Sequence, residues 1–304
     1  MLEFFSTPNI DFVGKRKVWI TFSLTLLVAS ILLGFVRGYN KNIDFTGGTE
    51  IQYRFTQPMN EGELRGALEG AGIKAEVTTL RSADAAHPDW MLKIQGGSQD
   101  GMKEKVESTI RGAFPQSGDS VLSAHTIGAR VGKELKTGAI WSTIWVSILL
   151  IIYVSIRFEF IYAVGAIIAT LHDVFVVLLF FSIFGWEFSL SVLAAILTLV
   201  GYSINDTIVV YDRIREQVKK QKGVPFAKVV NDAINQTLSR TILTGTTTIV
   251  SVIILIFFGG PSLTTMAVAL LIGILTGTYS SVFIAAPILI EWHDRRAAKL
   301  ALSK

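Results

Sequence analysis

The stretch that decides the fold is TILTGTTTIVSVIILIFFGGPSLTTMAVALLIGILTGTYSSVFIAAPILI, residues 241–290, which contains no charged residue. A helix needs about 20 mostly apolar residues to cross a hydrocarbon core of ~30 Å, so this stretch is too long for one span. The GGPS turn at 259–262 divides it, because Pro261 lacks the backbone donor that a continuing helix requires. We therefore predict two transmembrane helices, at 241–258 and 263–290.

Four further apolar runs bring the predicted number of spans to six; they lie at 18–36, 137–156, 160–185 and 188–211. The composition of the 304 residues agrees, since charged residues make up 17% and mean hydropathy is +0.49. Soluble domains average about 25% charged residues. A signal peptide is the alternative for the first run, but no small-residue cleavage site follows it. The absence of cysteine excludes disulfides, cysteine metal sites and thiol catalysis.

Lysine and arginine gather in alternate connections between the predicted spans. Fifteen of them lie in the N-terminus 1–17, the turn 157–159, the connection 212–240 and the tail 291–304. The short turns on the other side carry none. By the positive-inside rule both termini are cytoplasmic. The net charge of +4 then reflects topology, so we expect anionic lipid headgroups rather than nucleic acid as the partner of these basic residues.

The connection 212–240 has an amphipathic pattern. Its apolar residues recur at helical spacing, at Phe226, Val229, Val230, Ala233 and Ile234. This pattern predicts a helix that lies on the cytoplasmic membrane surface with its apolar face toward lipid. A solvated loop is the alternative.

Residues 37–136 form the one large segment between predicted spans, and they lie outside in this topology. Their pattern reads strand, helix, strand, strand, helix, strand, with Asn60 and Ser98 as helix caps. This βαββαβ order predicts a ferredoxin-like α+β periplasmic domain between helices 1 and 2. Its two histidines, His87 and His125, have no partnering motif for a metal or a nucleophile. We therefore expect no enzymatic activity, cofactor or metal.

Two acidic residues lie within the predicted spans: Asp206 in the fourth, and Asp173 in the third beside His172. An aspartate at a helix centre costs roughly 2.5–3.5 kcal/mol, so it must face protein or water, and a functional role is the first hypothesis. The alternative is a structural hydrogen bond. Arg240 opens the fifth span at a depth similar to that of Asp206. An arginine that approaches and withdraws would switch Asp206 between ionised and protonated forms.

Several motifs together resemble the SecD/SecF family of bacterial protein-export subunits, on the SecF side. They are IDFTGGT (43–49), GARVGKEL (128–135), RFEF (157–160), ATLHDV (169–174), GYSINDTIVVYDRIRE (201–216), SRTILT (239–244) and FGGP (258–261). The resemblance covers nearly the whole chain. It implies a complex with SecD, related to the resistance–nodulation–division exporters, that uses the proton-motive force to assist preprotein translocation through the SecYEG channel.

The resemblance also implies residue roles and partners. It assigns proton passage to Asp206 and Arg240 and places Thr244 one turn on; His172 and Asp173 are secondary candidates. The implied partners are SecYEG, YajC, YidC, the SecA pathway and the preprotein. Two other interpretations remain open: a proton-coupled small-molecule exporter, and a non-transporting assembly subunit.

One further expectation concerns the junctions between the external segment and its neighbouring spans. Gly38 lies at the first junction, and Gly128 and Gly132 lie at the second. Because glycine gives the backbone freedom, we predict that these three residues act as hinges of a moving external domain. A static domain that only docks a partner is the alternative.

Overall fold

The structure is a computed structural model that describes residues 9–80, 89–95 and 101–302. The helices are α1 (Arg16–Val36), α2 (Ile43–Thr46), α3 (Glu61–Gly70), α4 (Met102–Ala113), α5 (Ala129–Arg157), α6 (Phe160–Phe184), α7 (Leu190–Lys220), α8 (Phe226–Phe258), α9 (Pro261–Ser280) and α10 (Ala286–Leu302). The strands are β1 (Asn40–Lys41), β2 (Gly48–Arg54), β3 (Ala75–Leu80), β4 (Asp89–Gln95), β5 (Ser120–Ile127) and β6 (Glu187–Phe188). A π-helical turn, Ser281–Ala285, joins α9 to α10.

The chain divides into two compact units. The helical unit comprises Met1–Asn40, Thr143–Trp186 and Ser191–Lys304, and the sheet unit comprises Lys41–Ser142 and Glu187–Leu190. The sheet unit therefore extends beyond the predicted domain 37–136, because the turn between α6 and α7 belongs to it as well. In that turn, β6 forms a two-stranded sheet with β1.

Six helical stretches of the described chain are long and apolar enough to cross a membrane, as predicted. The break between the fifth and sixth lies where the GGPS turn placed it, since α8 ends at Phe258 and Pro261 opens α9. The helix ends differ from the predicted spans: α5 begins eight residues before 137 and α7 runs nine residues past 211. Hydropathy marks where apolar residues lie, whereas a helix continues until the backbone is interrupted.

The predicted surface helix within 212–240 is corrected by the structure. The turn between α7 and α8 is confined to 221–225, where Gly223 has φ 84° and Pro225 precedes the helix. From Phe226 onward, α8 continues without a break into the fifth span. Its apolar face packs against protein rather than lipid, since Val230 and Ile234 are buried in one core with Val13 and Ile290.

The sheet unit has the predicted ferredoxin-like plan. Its four strands lie in the order β3-β4-β2-β5, all neighbours antiparallel. The side chains of alternate strand residues meet the buried faces of α3 and α4. The largest fully buried side chains of this core, from strands, helices and connections together, are Ile51, Tyr53, Phe55, Leu64, Leu68, Ile73, Leu92 and Ile110. Asn60 caps α3 as predicted, accepting a hydrogen bond from the Gly62 backbone N–H at 2.8 Å. The predicted cap Ser98 and His87 lie outside the described residues.

A pair of glycines begins the main sheet. Gly47 ends α2 with φ 73°, and Gly48 has φ 150°. A Cβ at Gly48 would collide with the Ile94 carbonyl oxygen across the sheet, so the position needs glycine.

The two glycines predicted as hinges before the second span are both built into the start of α5. Gly128 is the residue between β5 and α5, and its carbonyl accepts a hydrogen bond from the Gly132 backbone N–H at 2.9 Å. Gly132 lies inside α5, where a Cβ would stand 3.0 Å from the Gly47 backbone nitrogen. The structure therefore differs from the predicted free junction: Gly128 closes the first helical turn, and close approach of two backbones explains Gly132.

Candidate functional site

Asp206 lies on α7 and is 8% exposed. Its Oδ1 accepts a hydrogen bond from Thr241 Oγ1 on α8 at 3.1 Å, and its Oδ2 accepts one from Ser281 Oγ at 3.3 Å. Both distances exceed the 2.5–3.0 Å of ordinary O–H···O hydrogen bonds. Three helical segments thus converge on a carboxylate that is held only loosely.

Asp173 is held more tightly. It lies on α6 and is fully buried. Its Oδ2 accepts from Ser203 Oγ on α7 at 2.6 Å and from Ser280 Oγ on α9 at 2.7 Å. Its Oδ1 lies 3.1 Å from His172 Nδ1. The two membrane aspartates are therefore linked through neighbouring residues, because Ser280 and Ser281 are consecutive.

Two buried polar atoms next to these aspartates have no hydrogen-bond partner among the described residues. They are His172 Nε2 and Thr207 Oγ1, on residues that are 3% and 0% exposed. The imidazole ring of His172 lies beside the ring of Tyr279, with centroids 6.1 Å apart. Buried polar atoms without partners are rare in native structures, and each requires a physical explanation such as a catalytic role or an ordered water or ion.

Small residues allow α9 to approach α7 closely enough to form this network. A Cβ at Gly273 would stand 2.5 Å from Leu199 Cδ2, and one at Gly277 would stand 3.2 Å from Ser203 Cβ. The GxxxG spacing in a span is typical of such close helix contacts. It brings Ser280 at the end of α9, and Ser281 at the start of the π-helical turn, to the level of both carboxylates.

Arg240 and Thr244 lie differently from Asp206. The structure records no ion pair between Asp206 and Arg240 among the described residues, and the Arg240 side chain is exposed. Thr244 is also exposed, and its hydroxyl donates to the backbone carbonyls of Arg240 and Thr241. The hydroxyl that reaches Asp206 from α8 is therefore that of Thr241.

A polar cleft of about 320 Å³ opens beside this site. Its lining residues are Val209, Asp212, Arg213, Glu216, Gln236, Thr237 and Arg240. Thr237 precedes Thr241 by one helical turn, and Val209 follows Asp206 by three residues. The cleft thus ends about one helical turn from the Asp206 carboxylate.

Sequence reasoning found the charged members of this site and missed its hydroxyls. Asp206, Asp173 and His172 were singled out by the cost of charge in a span. Ser203, Thr241, Ser280 and Ser281 were not. The sequence did contain one signal, the spacing along α7. Ser203 precedes Asp206 by three residues, so the two side chains lie on the same face of the helix.

The sequence profile described as "Protein export membrane protein SecD/SecF, C-terminal" matches residues 106–295 of the chain, and the "SecD/SecF GG Motif" matches residues 43–59. The chain belongs to the SecD/SecF family. The first match covers five of the six membrane helices, and the second contains the Gly47–Gly48 pair at the start of β2.

Among individual members of the SecD/SecF family, protein translocase subunit SecF of Rhodothermus marinus is 38% identical over 99% of both chains. Protein translocase subunit SecDF of Thermus thermophilus is 38% identical over 97% of this chain, which corresponds to 40% of that longer protein. A crystal structure of SecDF from that genus, described as a translocon-associated membrane protein, superposes with a TM-score of 0.85 at 35% identity, covering 94% of this chain and 39% of that one. A SecDF structure in a super-membrane-facing form gives 0.74 at 36% identity, covering 98% and 40%.

Proposed function

We propose that the chain is a protein-translocase subunit that works with SecD and couples proton movement to preprotein translocation. The observation that carries the proposal is Asp206, a loosely bonded carboxylate inside a membrane span that lies about one turn from a polar cleft. Intramembrane carboxylates of this kind are typical of proton relays. The relatives are named protein translocase subunits, which supports the translocation role. This chain matches 40% of the length of the SecDF relative, and that match supports SecD as the partner.

The proposed relay uses the difference in exposure between Asp206, which is buried, and Arg240, which is exposed. Water in the cleft reaches the level of Arg240, and a proton passes from there to the Asp206 carboxylate. When Arg240 approaches, its charge favours the ionised carboxylate, and when it withdraws, burial favours the protonated one. Thr244 lies on the same exposed face of α8 as Arg240, where a partner subunit or water would meet it.

We place the chain in the bacterial inner membrane, with both termini cytoplasmic. The distribution of lysine and arginine supports this orientation. SecYEG, YajC, YidC and the SecA pathway are the further partners that we propose, and the preprotein is the substrate. The small-molecule exporter is not favoured, because the matching family is described by protein export.

Asp206→Asn tests the relay, because asparagine keeps the shape of the side chain and cannot titrate. We expect gradient-dependent preprotein export into membrane vesicles to fall to its gradient-independent level. Asp232→Asn, the same chemical change on the cytoplasmic part of α8, should leave export unchanged. Wild-type export by vesicles that contain fully assembled Asp206→Asn complex would rule out the proposed relay.

We also propose that the sheet unit moves as a body, with Gly38 as the main hinge. Gly38 has φ 71° and its missing Cβ faces open space, so the backbone there is free to change. Gly128 and Gly132 are the weaker candidates, because the hydrogen bond between their backbones holds them in the first turn of α5. Bending at the second junction would have to break that 2.9 Å bond, whereas at Gly38 the bond at risk is the longer one that the Ser182 hydroxyl donates to the Gly38 carbonyl at 3.3 Å.

The motion can be measured with spin labels. Because the chain has no cysteine, labels can be placed at Lys105→Cys and Phe184→Cys in the full complex. We expect the distance distribution between them to change when a proton gradient is applied. A control pair within the sheet unit, at Lys105 and Leu122, should not change; identical distributions for the first pair would exclude the motion.

A further inference from the structure

We infer that His172 and Asp173 form a second proton-binding site in the helical unit, one that takes up its proton at His172 Nε2 and is held in place by the hydroxyls of Ser203 and Ser280. The inference rests on the proposed proton coupling, because it adds a second site to the same network. It differs from the relay at Asp206 in chemistry, since the proton is held by an imidazole rather than by a carboxylate.

In the inferred site, Asp173 is the ionised partner. Its Oδ2 accepts hydroxyl protons from Ser203 and Ser280 at 2.6 and 2.7 Å. Hydrogen bonds to an ionised oxygen are roughly twice as strong as neutral ones, so two donors on one oxygen stabilise the charged carboxylate. The other oxygen, Oδ1, lies 3.1 Å from His172 Nδ1. An ionised carboxylate only accepts, so the Nδ1 atom of His172 carries a hydrogen.

This arrangement leaves Nε2 as the open nitrogen. In a neutral imidazole with a hydrogen on Nδ1, Nε2 is an acceptor, and here it is buried with no partner among the described residues. When a proton binds there, one N–H bond forms and the ring becomes an imidazolium beside the Asp173 carboxylate. The pair then has no net charge, which is the state that a buried site tolerates best. Release of the proton restores the neutral ring.

Among the described residues, α9 places the ring of Tyr279 beside the imidazole, and Asp206 on α7 is connected to the pair through two serines. From α1, residues 18–36 contain no charged side chain. Asp206 is connected to Asp173 through Ser281 and Ser280, which are consecutive on one backbone. A change in the bonding of Asp206 therefore displaces a serine next to the one that holds Asp173.

Nitrogen-15 NMR of the full chain in lipid nanodiscs, labelled at histidine, tests the inference directly. The chain has four histidines, so single His→Gln variants assign every resonance. We expect the His172 ring nitrogens to show a hydrogen on Nδ1 at high pH and to gain a second at Nε2 as pH falls. In Asp173→Asn, fewer rings should carry the second hydrogen at a given pH, because the imidazolium loses its carboxylate.

The control is His125 in the sheet unit, whose ring-nitrogen signals should be the same in wild type and in Asp173→Asn. If Asp173→Asn does not fold, Ser203→Ala replaces it, since the loss of one hydroxyl bonded to Asp173 should still change the fraction of His172 rings that carry the second hydrogen. A His172 ring that keeps one proton and one tautomer from pH 5 to pH 9 would overturn the inference. This measurement requires no export, so it can succeed where Asp206→Asn leaves export unchanged, and the two proposals can fail separately.

Discussion

The cores of the two units differ in how many small residues they contain. Both bury large side chains, such as Tyr53 and Leu64 in the sheet unit and Tyr211 in the helical unit. In the helical unit, the surface where α6 and α7 meet the sixth span contains alanine and serine; Ala166, Ala169, Ser203, Ser280, Ser281, Ala285 and Ala286 are all buried. The sheet unit excludes water from bulky apolar groups, whereas the helical unit brings backbones close together.

The difference follows from the solvent that each unit displaces. Water drives burial of large apolar side chains, at roughly 25 cal/mol per Å². Lipid provides no such force, because a leucine gains little when it exchanges lipid for protein, so spans associate through close packing and hydrogen bonds. This explains why hydroxyls and carboxylates can occupy the centre of the helical unit.

The largest effect that we predict is in the sheet core. Leu64 on α3 is 0% exposed, and Leu64→Ala removes buried apolar volume and leaves a cavity. Such changes cost about 2–5 kcal/mol of unfolding free energy. The matched control is Leu122→Ala on β5, where the leucine is 41% exposed and the change should cost far less. Urea-dependent proteolysis of the sheet unit in the full chain measures both, and equal losses would contradict this account of the core.

In the helical unit, we expect added side-chain volume at a packed glycine to lower stability. At Gly165 on α6, a new Cβ would collide with the Tyr211 hydroxyl, which donates to the Ala285 carbonyl at 3.1 Å. We expect Gly165→Ala to destabilise the helical unit by about 1–3 kcal/mol. Gly201→Ala is the control, because nothing lies within 4 Å of its Cβ and alanine favours the helix. Thermal unfolding in detergent measures both, and a neutral Gly165→Ala would show that the packing is loose.

The smallest effect concerns Glu50 on β2, where burial raises the pKa of the carboxyl although the charge of Lys93 opposes this. Because the folded pKa is raised, the folded state holds the proton more strongly, and stability falls as pH rises through that pKa. Glu50→Gln should therefore increase the stability of the sheet unit at neutral pH, by less than the ~1 kcal/mol of a typical hydrogen bond. The gain should vanish at pH 4, and urea-dependent proteolysis at the two pH values checks it. A gain that persists at pH 4 would assign the effect to packing.

The features that could be predicted from the sequence were those that leave a repeating residue pattern or that place a charge where it is costly. The βαββαβ order followed from alternation and caps, and Asp206 and Asp173 stood out because charge is costly in a span. The partners of these aspartates did not, since serine and threonine are common in spans and only tertiary packing decides which hydroxyl faces a carboxylate. The surroundings of the first turns of α8 were missed for the same reason. An amphipathic face predicts that its apolar side chains are buried, but not whether lipid or protein covers them.

The π-helical turn Ser281–Ala285 sets the rotational phase of the helix that follows it. An α-helix turns by about 100° per residue, and a π turn accommodates one residue in excess. All of α10 is therefore out of phase with α9, and it is in this phase that Leu289 and Ile290 face the core while Trp292 faces outward. Deletion of a single residue from the turn would remove this excess and restore a regular α-helix, so Leu289 and Ile290 would keep facing the core. Deletion of a residue from α10 itself would rotate the rest of that helix by about 100° and withdraw that face. The π turn is therefore the point at which this part of the chain accommodates a change of length by one residue.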